Sequence, residues 1–129
     1  MLTNRPVTTI LPVTNLERAK TFYAQNLGLR PANEAPLPDA LVFEAGAGAK
    51  LELQKRDRPT TAEHTVASFE VEDIEREVSD LERHGVRFED YDMPGLKTER
   101  HIARMNEHRA AWFKDPDGNI LCIHQTVRG

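Results

Sequence analysis

The sequence predicts an α+β fold made of two tandem β-α-β-β-β modules, and three observations lead there. The hexamer Val13-Thr14-Asn15-Leu16-Glu17-Arg18 returns 58 positions later as Val71-Glu72-Asp73-Ile74-Glu75-Arg76. Self-similarity at a fixed distance marks a repeated architecture. Each copy stands between a β-rich segment and a helical apolar stripe, and each stripe stops at a glycine followed by strand-like segments. The modules are expected over 1–57 and 63–129, within one domain spanning 1–129.

The elements follow in order. PVTTILPV reads as the first strand, and Asn15 suits a helix N-cap because its short side-chain oxygen can accept from the free N–H groups of the first turn. Leu16, Ala19, Phe22, Tyr23 and Leu27 then share one helical face, and Gly28 provides the left-handed residue that ends a helix. ALVFEAG (40–46) and AKLELQK (49–55) are separated by small residues only and read as a hairpin. Arg56–Ala62 is the expected linker. HTVASFEV opens the second module, Asp73 is its N-cap, and Ile74, Val78 and Leu81 form the stripe that ends at Gly85. RAAWFK (109–114) and NILCIHQ (119–125) flank Asp115-Pro116-Asp117-Gly118, a turn specified by its proline and glycine. Residues 91–108 show no period and read as a loop.

Composition narrows the function classes. The 129 residues are 39% hydrophobic and 29% charged, as in a soluble globular chain. A net charge of −4 makes nucleic acid and acidic membranes poor default partners. The N-terminal apolar segment is short and broken by Pro12, so neither a signal peptide nor a membrane span is expected. One cysteine cannot form an internal disulfide, and no zinc-type Cys/His spacing occurs. The expected location is cytoplasmic.

Three segments, VTNLERAKTFYAQNLGL, VEDIEREVSDLERHGV and AWFKDPDGNILCI, carry a resemblance that covers nearly the whole chain. In this order they resemble the vicinal oxygen chelate superfamily, which includes glyoxalase I, bleomycin-resistance proteins and extradiol dioxygenases. The resemblance implies paired modules whose curled mixed sheets enclose a cavity for a small organic molecule, and a homodimer. It also implies four metal-ligand positions, which fall by offset on Thr8, Glu52, Val66 and Cys122. Where a glyoxalase I keeps histidines and glutamates, this chain retains a single carboxylate. Valine has no donor atom, and a threonine hydroxyl is a weak ligand for divalent metals. No cofactor is therefore expected, a divalent metal being the minority possibility, and an ordinary glyoxalase I is disfavoured.

Strand alternation sorts the residues of that implied cavity. If Cys122 faces it, His124 does too, and the same parity gives Thr8, Ile10, Glu52 and Gln54, with His64, Val66 and Ser68 in the second module. Trp112 joins them opposite Phe113. Glu52 is the candidate general base, against the plainer reading of a carboxylate paired with a neighbouring cation. A metal site rebuilt on Glu52, His64 and His124 lacks supporting spacing. A Cys122 nucleophile would need a lowered pKa. Arg100, His101, Arg104, His108 and Arg109 form either a lid over an anion or a solvated loop. Two functions are expected from this set: a binding protein of the bleomycin-resistance kind, or a metal-dependent or metal-free lyase, isomerase or dioxygenase.

Overall fold

The computed structural model describes residues 1–32 and 37–127; residues 33–36 and 128–129, the latter closing the second expected module, lie outside it. The fold is α+β with two mixed sheets, one of four strands and one of six. Two compact units divide the chain, Met1–Thr61 with Pro116–Gly118 and Ala62–Asp115 with Asn119–Gly129.

In the first unit β1 (Thr8–Val13), β2 (Arg30–Pro31), β3 (Ala40–Glu44) and β4 (Lys50–Lys55) stand in the order β1-β4-β3-β2. β1 and β4 run parallel in unbroken register from Thr8↔Lys50 to Val13↔Lys55. Helix α1 (Leu16–Thr21) starts where Asn15 accepts from the Arg18 N–H at 3.0 Å. The apolar stripe predicts an α-helix through Leu27, but at Phe22 the chain widens into a π-helical turn, Phe22–Asn26. The Leu27 N–H closes it on the Phe22 carbonyl at 3.0 Å. This wider turn seats Tyr23 wholly out of solvent, and Phe22 meets it edge-on at 5.2 Å. Leu11, Val13, Leu51 and Leu53 bury the sheet face on the helix side, with Phe43 6.1 Å from Tyr23.

Asp117 is counted with this first unit. Its Oδ1 accepts from the Thr14 N–H at 3.1 Å, the Thr14 hydroxyl at 2.5 Å and the Arg18 guanidinium at 3.2 Å. The second aspartate of the DPDG turn therefore holds the residues that lead into α1, which the turn reading alone does not suggest.

The second unit repeats the plan with insertions. β5 (Thr65–Glu70) precedes α2 (Ile74–Arg83), capped by Asp73 accepting from the Arg76 N–H at 3.2 Å. Gly28 (φ 72°) and Gly85 (φ 90°) take the left-handed conformation expected at the two helix ends. The segment that reads as a loop instead holds β6 (Asp92–Met93), β7 (Leu96–Glu99) and β8 (Ile102–Met105). Runs of two to four residues are too short to display a period, so composition hides them. With β9 (His108–Lys114) and β10 (Ile120–Thr126) the order is β5-β10-β9-β8-β7-β6. Phe113, Leu121 and Ile123 are the buried sheet residues on the side facing α2, whose own Val78 is buried, and Phe88 packs edge-on against Phe113 at 5.5 Å.

β5 and β10 are parallel but not in even register. Ile120 pairs with Thr65 and Leu121 with Ala67, so Val66 is the unmatched residue of a bulge. Beyond it Cys122 faces Ser68 and His124 faces Glu70.

Candidate functional site

Each unit leaves one sheet face turned away from its helix, and on that face polar side chains gather. In the first unit Ile10 stands beside Glu52 on β4, and Val42 of β3 is on its other side. Glu52 is only 7% exposed although it carries a carboxyl group. Its Oε2 accepts from the Gln54 amide at 2.6 Å, and Gln54 Oε1 accepts from the Arg56 guanidinium at 2.7 Å. The cation thus reaches the carboxylate through an amide rather than directly. Such relays satisfy a buried carboxylate and fix its rotamer. Thr8 and Ile10 are exposed on this face and Gln54 is partly buried. Arg56 is a participant that strand reading placed in the linker.

In the second unit the face is built around Cys122, which lies between Ser68 on β5 and Trp112 on β9. The thiol is buried and donates to the Ile123 carbonyl at 3.3 Å. Burial raises its pKa, and hydrogen bonds with Ser68 and the Ala111 backbone oppose that only in part. A thiol of that kind is a poor nucleophile. Ser68 Oγ is 2.5 Å from His124 Nδ1, and His124 Nε2 is 3.9 Å from Glu70. A hydroxyl, an imidazole and a carboxylate thus stand on adjacent strands. Trp112 donates its indole N–H to Thr65 Oγ1 at 3.1 Å, and Tyr91 meets its ring edge-on at 5.6 Å. Burial, then the Glu89 carboxylate, then Cys122 raise the Tyr91 pKa.

Strand parity thus brings Ser68, Trp112, Cys122 and His124 to one face. Thr65, rather than Val66 or His64, meets Trp112, because the bulge shifts the alternation by one residue. His64 lies exposed on the bend before β5. Tyr91 escaped the sequence reading because it stands in the segment without a period, although an aromatic among turn residues is a usable signal.

Thr8, Glu52, Val66 and Cys122 do not form a plausible metal donor set. One has no donor atom, one offers an exposed hydroxyl, one is a thiol kept protonated by burial, and one is a carboxylate engaged by Gln54. Among the described residues no group of three or more His, Cys, Asp or Glu is placed to hold a metal ion.

With this geometry in view, comparison with known proteins gives a consistent answer. The family model "Glyoxalase/Bleomycin resistance protein/Dioxygenase superfamily" matches residues 5–123. The chain belongs to that superfamily. Among solved structures it resembles a superfamily member from Sphaerobacter thermophilus, with 23% identity, TM-score 0.71, and 97% of this chain and 99% of that one covered. TnmS3, an antibiotic binding protein from Streptomyces sp. CB03234, aligns at 21% identity and TM-score 0.68 over 98% of both chains. A lactoylglutathione lyase from Agrobacterium tumefaciens aligns at 18% identity and TM-score 0.69, with 95% and 93% covered. Likenesses at this identity carry the fold alone. Comparison with curated protein sequences finds no match.

Proposed function

We propose that this protein binds a small organic molecule against its polar sheet faces and does so without a catalytic metal. The observation that carries the reading is the chemistry at the superfamily's ligand positions, where Val66 has no donor and Thr8 only a hydroxyl. A binding role draws support from the aromatic pair Trp112–Tyr91 beside a hydroxyl–imidazole pair, Ser68–His124. Aromatic rings supply apolar area, and the polar groups orient the guest. The likeness of fold to TnmS3, an antibiotic binding protein, supports the reading. A homodimer in the cytoplasm completes the proposal. No helix among the described residues is long and apolar enough to cross a membrane.

A second reading, metal-free acid–base catalysis, is favoured by one contact, the 2.5 Å approach of Ser68 Oγ to His124 Nδ1. An imidazole so placed can take a proton from the hydroxyl or from a guest that displaces it. Glu52 is the other candidate base.

The chain has a single tryptophan, so its fluorescence reports on the second unit's face without interference. Titration with planar aromatic compounds is expected to quench Trp112 saturably, and recovery of unchanged compound identifies sequestration. Turnover that is lost in Glu52→Gln or His124→Gln would replace sequestration with the catalytic reading. Absence of saturable quenching across a broad panel would remove both.

A further inference from the structure

On the opposite side of the six-stranded sheet, between α2 and the β7–β8 hairpin, lies a cleft of about 400 Å³. That is within the range of small-molecule sites, about 300–1,000 Å³. Its residues are separate from the polar faces described above. In the β8–β9 pairing Ala103 stands beside Ala110, and Ala110 beside His124, so Ile102 and Arg104 point to the helix side.

The two walls carry opposite charge. Glu75 and Glu82, seven residues apart on α2, give the acidic wall, with Ser79 between them. Arg100, His101 and Arg104 give the basic wall. Buried Val78 and Ile102 make an apolar floor. Side-chain contacts tie the walls at each end: Arg104 pairs with Glu75 at 3.4 Å, and His101 Nε2 lies 3.3 Å from the Glu82 carboxylate. Asp90 takes the other ring nitrogen of His101 at 3.0 Å, and Phe88 stacks on the ring at 6.0 Å. Arg100 has neither an ion pair nor a hydrogen bond among the described residues.

The backbone there is also unusual. Arg100 (φ 52°) and His101 (φ 74°) are consecutive left-handed residues at a two-residue hairpin turn. Such turns favour Asn-Gly, because a Cβ in that conformation is strained. Arg100 and His101 stand at the costliest positions of the hairpin, the imidazole held between two carboxylates and the exposed Arg100 lining the cleft with no side-chain partner among the described residues.

From this we infer that the cleft is a second binding site, for a zwitterionic small molecule of the free α-amino acid kind with an apolar side chain. Arg100 takes the carboxylate, the remaining acceptor capacity of Glu82 takes the ammonium, and Val78 and Ile102 receive the apolar side chain. A simple anion would meet two carboxylates on the facing wall, and a simple amine would leave Arg100 uncompensated. The zwitterion satisfies both walls.

The test is a calorimetric and NMR titration of the full chain with the standard free amino acids, with 4-methylpentanoate (leucine without its ammonium) and isoamylamine (leucine without its carboxylate) as the two halves of leucine. The expected result is saturable binding of one or more apolar amino acids. If leucine binds, each half-molecule is expected to bind at least about ten-fold more weakly. Arg100→Asn is the informative variant, since asparagine suits that turn position better than arginine and the fold is retained. It is expected to keep the wild-type Tm or exceed it while losing the response, and Glu82→Gln is expected to weaken binding as well. No saturable binding by any amino acid, binding unchanged in Arg100→Asn, or 4-methylpentanoate binding as tightly as leucine would each overturn the proposal.

Discussion

At Cys122, burial outweighs the hydrogen bonds with Ser68 and the Ala111 backbone, so the thiol sits above its ordinary pKa. Two consequences follow at the scale of this residue. The chain has one cysteine, and in the native state it is expected to resist a thiol reagent at pH 8, whereas the unfolded chain reacts with one equivalent. Rapid native labelling would show the thiol to be open. The second consequence is a pH dependence. The folded value is the higher, so the native chain holds this proton more tightly than the unfolded one. That contribution is complete below the unfolded thiol pKa and is lost as pH rises through the folded value. Urea stability is therefore expected to decline above about pH 9, and the decline to be shallower in Cys122→Ala. Some slope should persist in that variant, because Tyr91 shifts in the same direction, chiefly through burial. Alternation alone placed Cys122, His124 and Ser68 together, since a period of two is robust in a seven-residue strand. It could not place Thr65, because a bulge leaves no mark in composition.

The elements repeat more faithfully than the residues on them. Asn15 and Asp73 make the same N-cap bond to the third residue beyond, at 3.0 and 3.2 Å. Asp73→Ala is expected to cost about 1 kcal/mol in urea unfolding, as the loss of a cap commonly does. Asn15→Ala should cost a similar amount, and a negligible effect of both would mean that packing alone sets these helix starts. Both caps, both terminal glycines and the β9–β10 turn were legible, because each rests on a local rule that few residue types satisfy. The π-helical turn at Phe22–Asn26 was not. It arises from seating Tyr23 and Phe22 against the sheet, a demand of packing that the apolar stripe cannot distinguish from an ordinary helix. β6, β7 and β8 were missed for another reason: each pairs only with its neighbours in a meander, and none of the three exceeds four residues.

For the whole molecule, the donor set at Thr8, Glu52, Val66 and Cys122 leads to a direct prediction about metals. A ligand that binds the native state raises Tm by mass action, by roughly RT ln(1 + [L]/Kd) in free energy. Nickel, zinc, manganese and ferrous iron are each expected to leave Tm unchanged at low multiples of the protein concentration, and EDTA to have no effect. A stoichiometric rise with any of them would return the metal-dependent lyase and dioxygenase mechanisms. The α+β class of the fold was legible because a 58-residue echo between two β-rich segments is a global signal. The amino-acid cleft was not, since its walls come from a helix and a hairpin turn more than fifteen residues apart. Only the cluster of basic residues around His101 hinted at it.

The bulge at Val66 also bears on how duplicated genes diverge. In the first copy β1 and β4 keep step along their whole length, whereas in the second one extra residue dislocates β5 from β10. Leu121 and Ile123 stay buried under α2 regardless. A single inserted codon can therefore exchange the side chains that one half presents to a guest while leaving its core untouched.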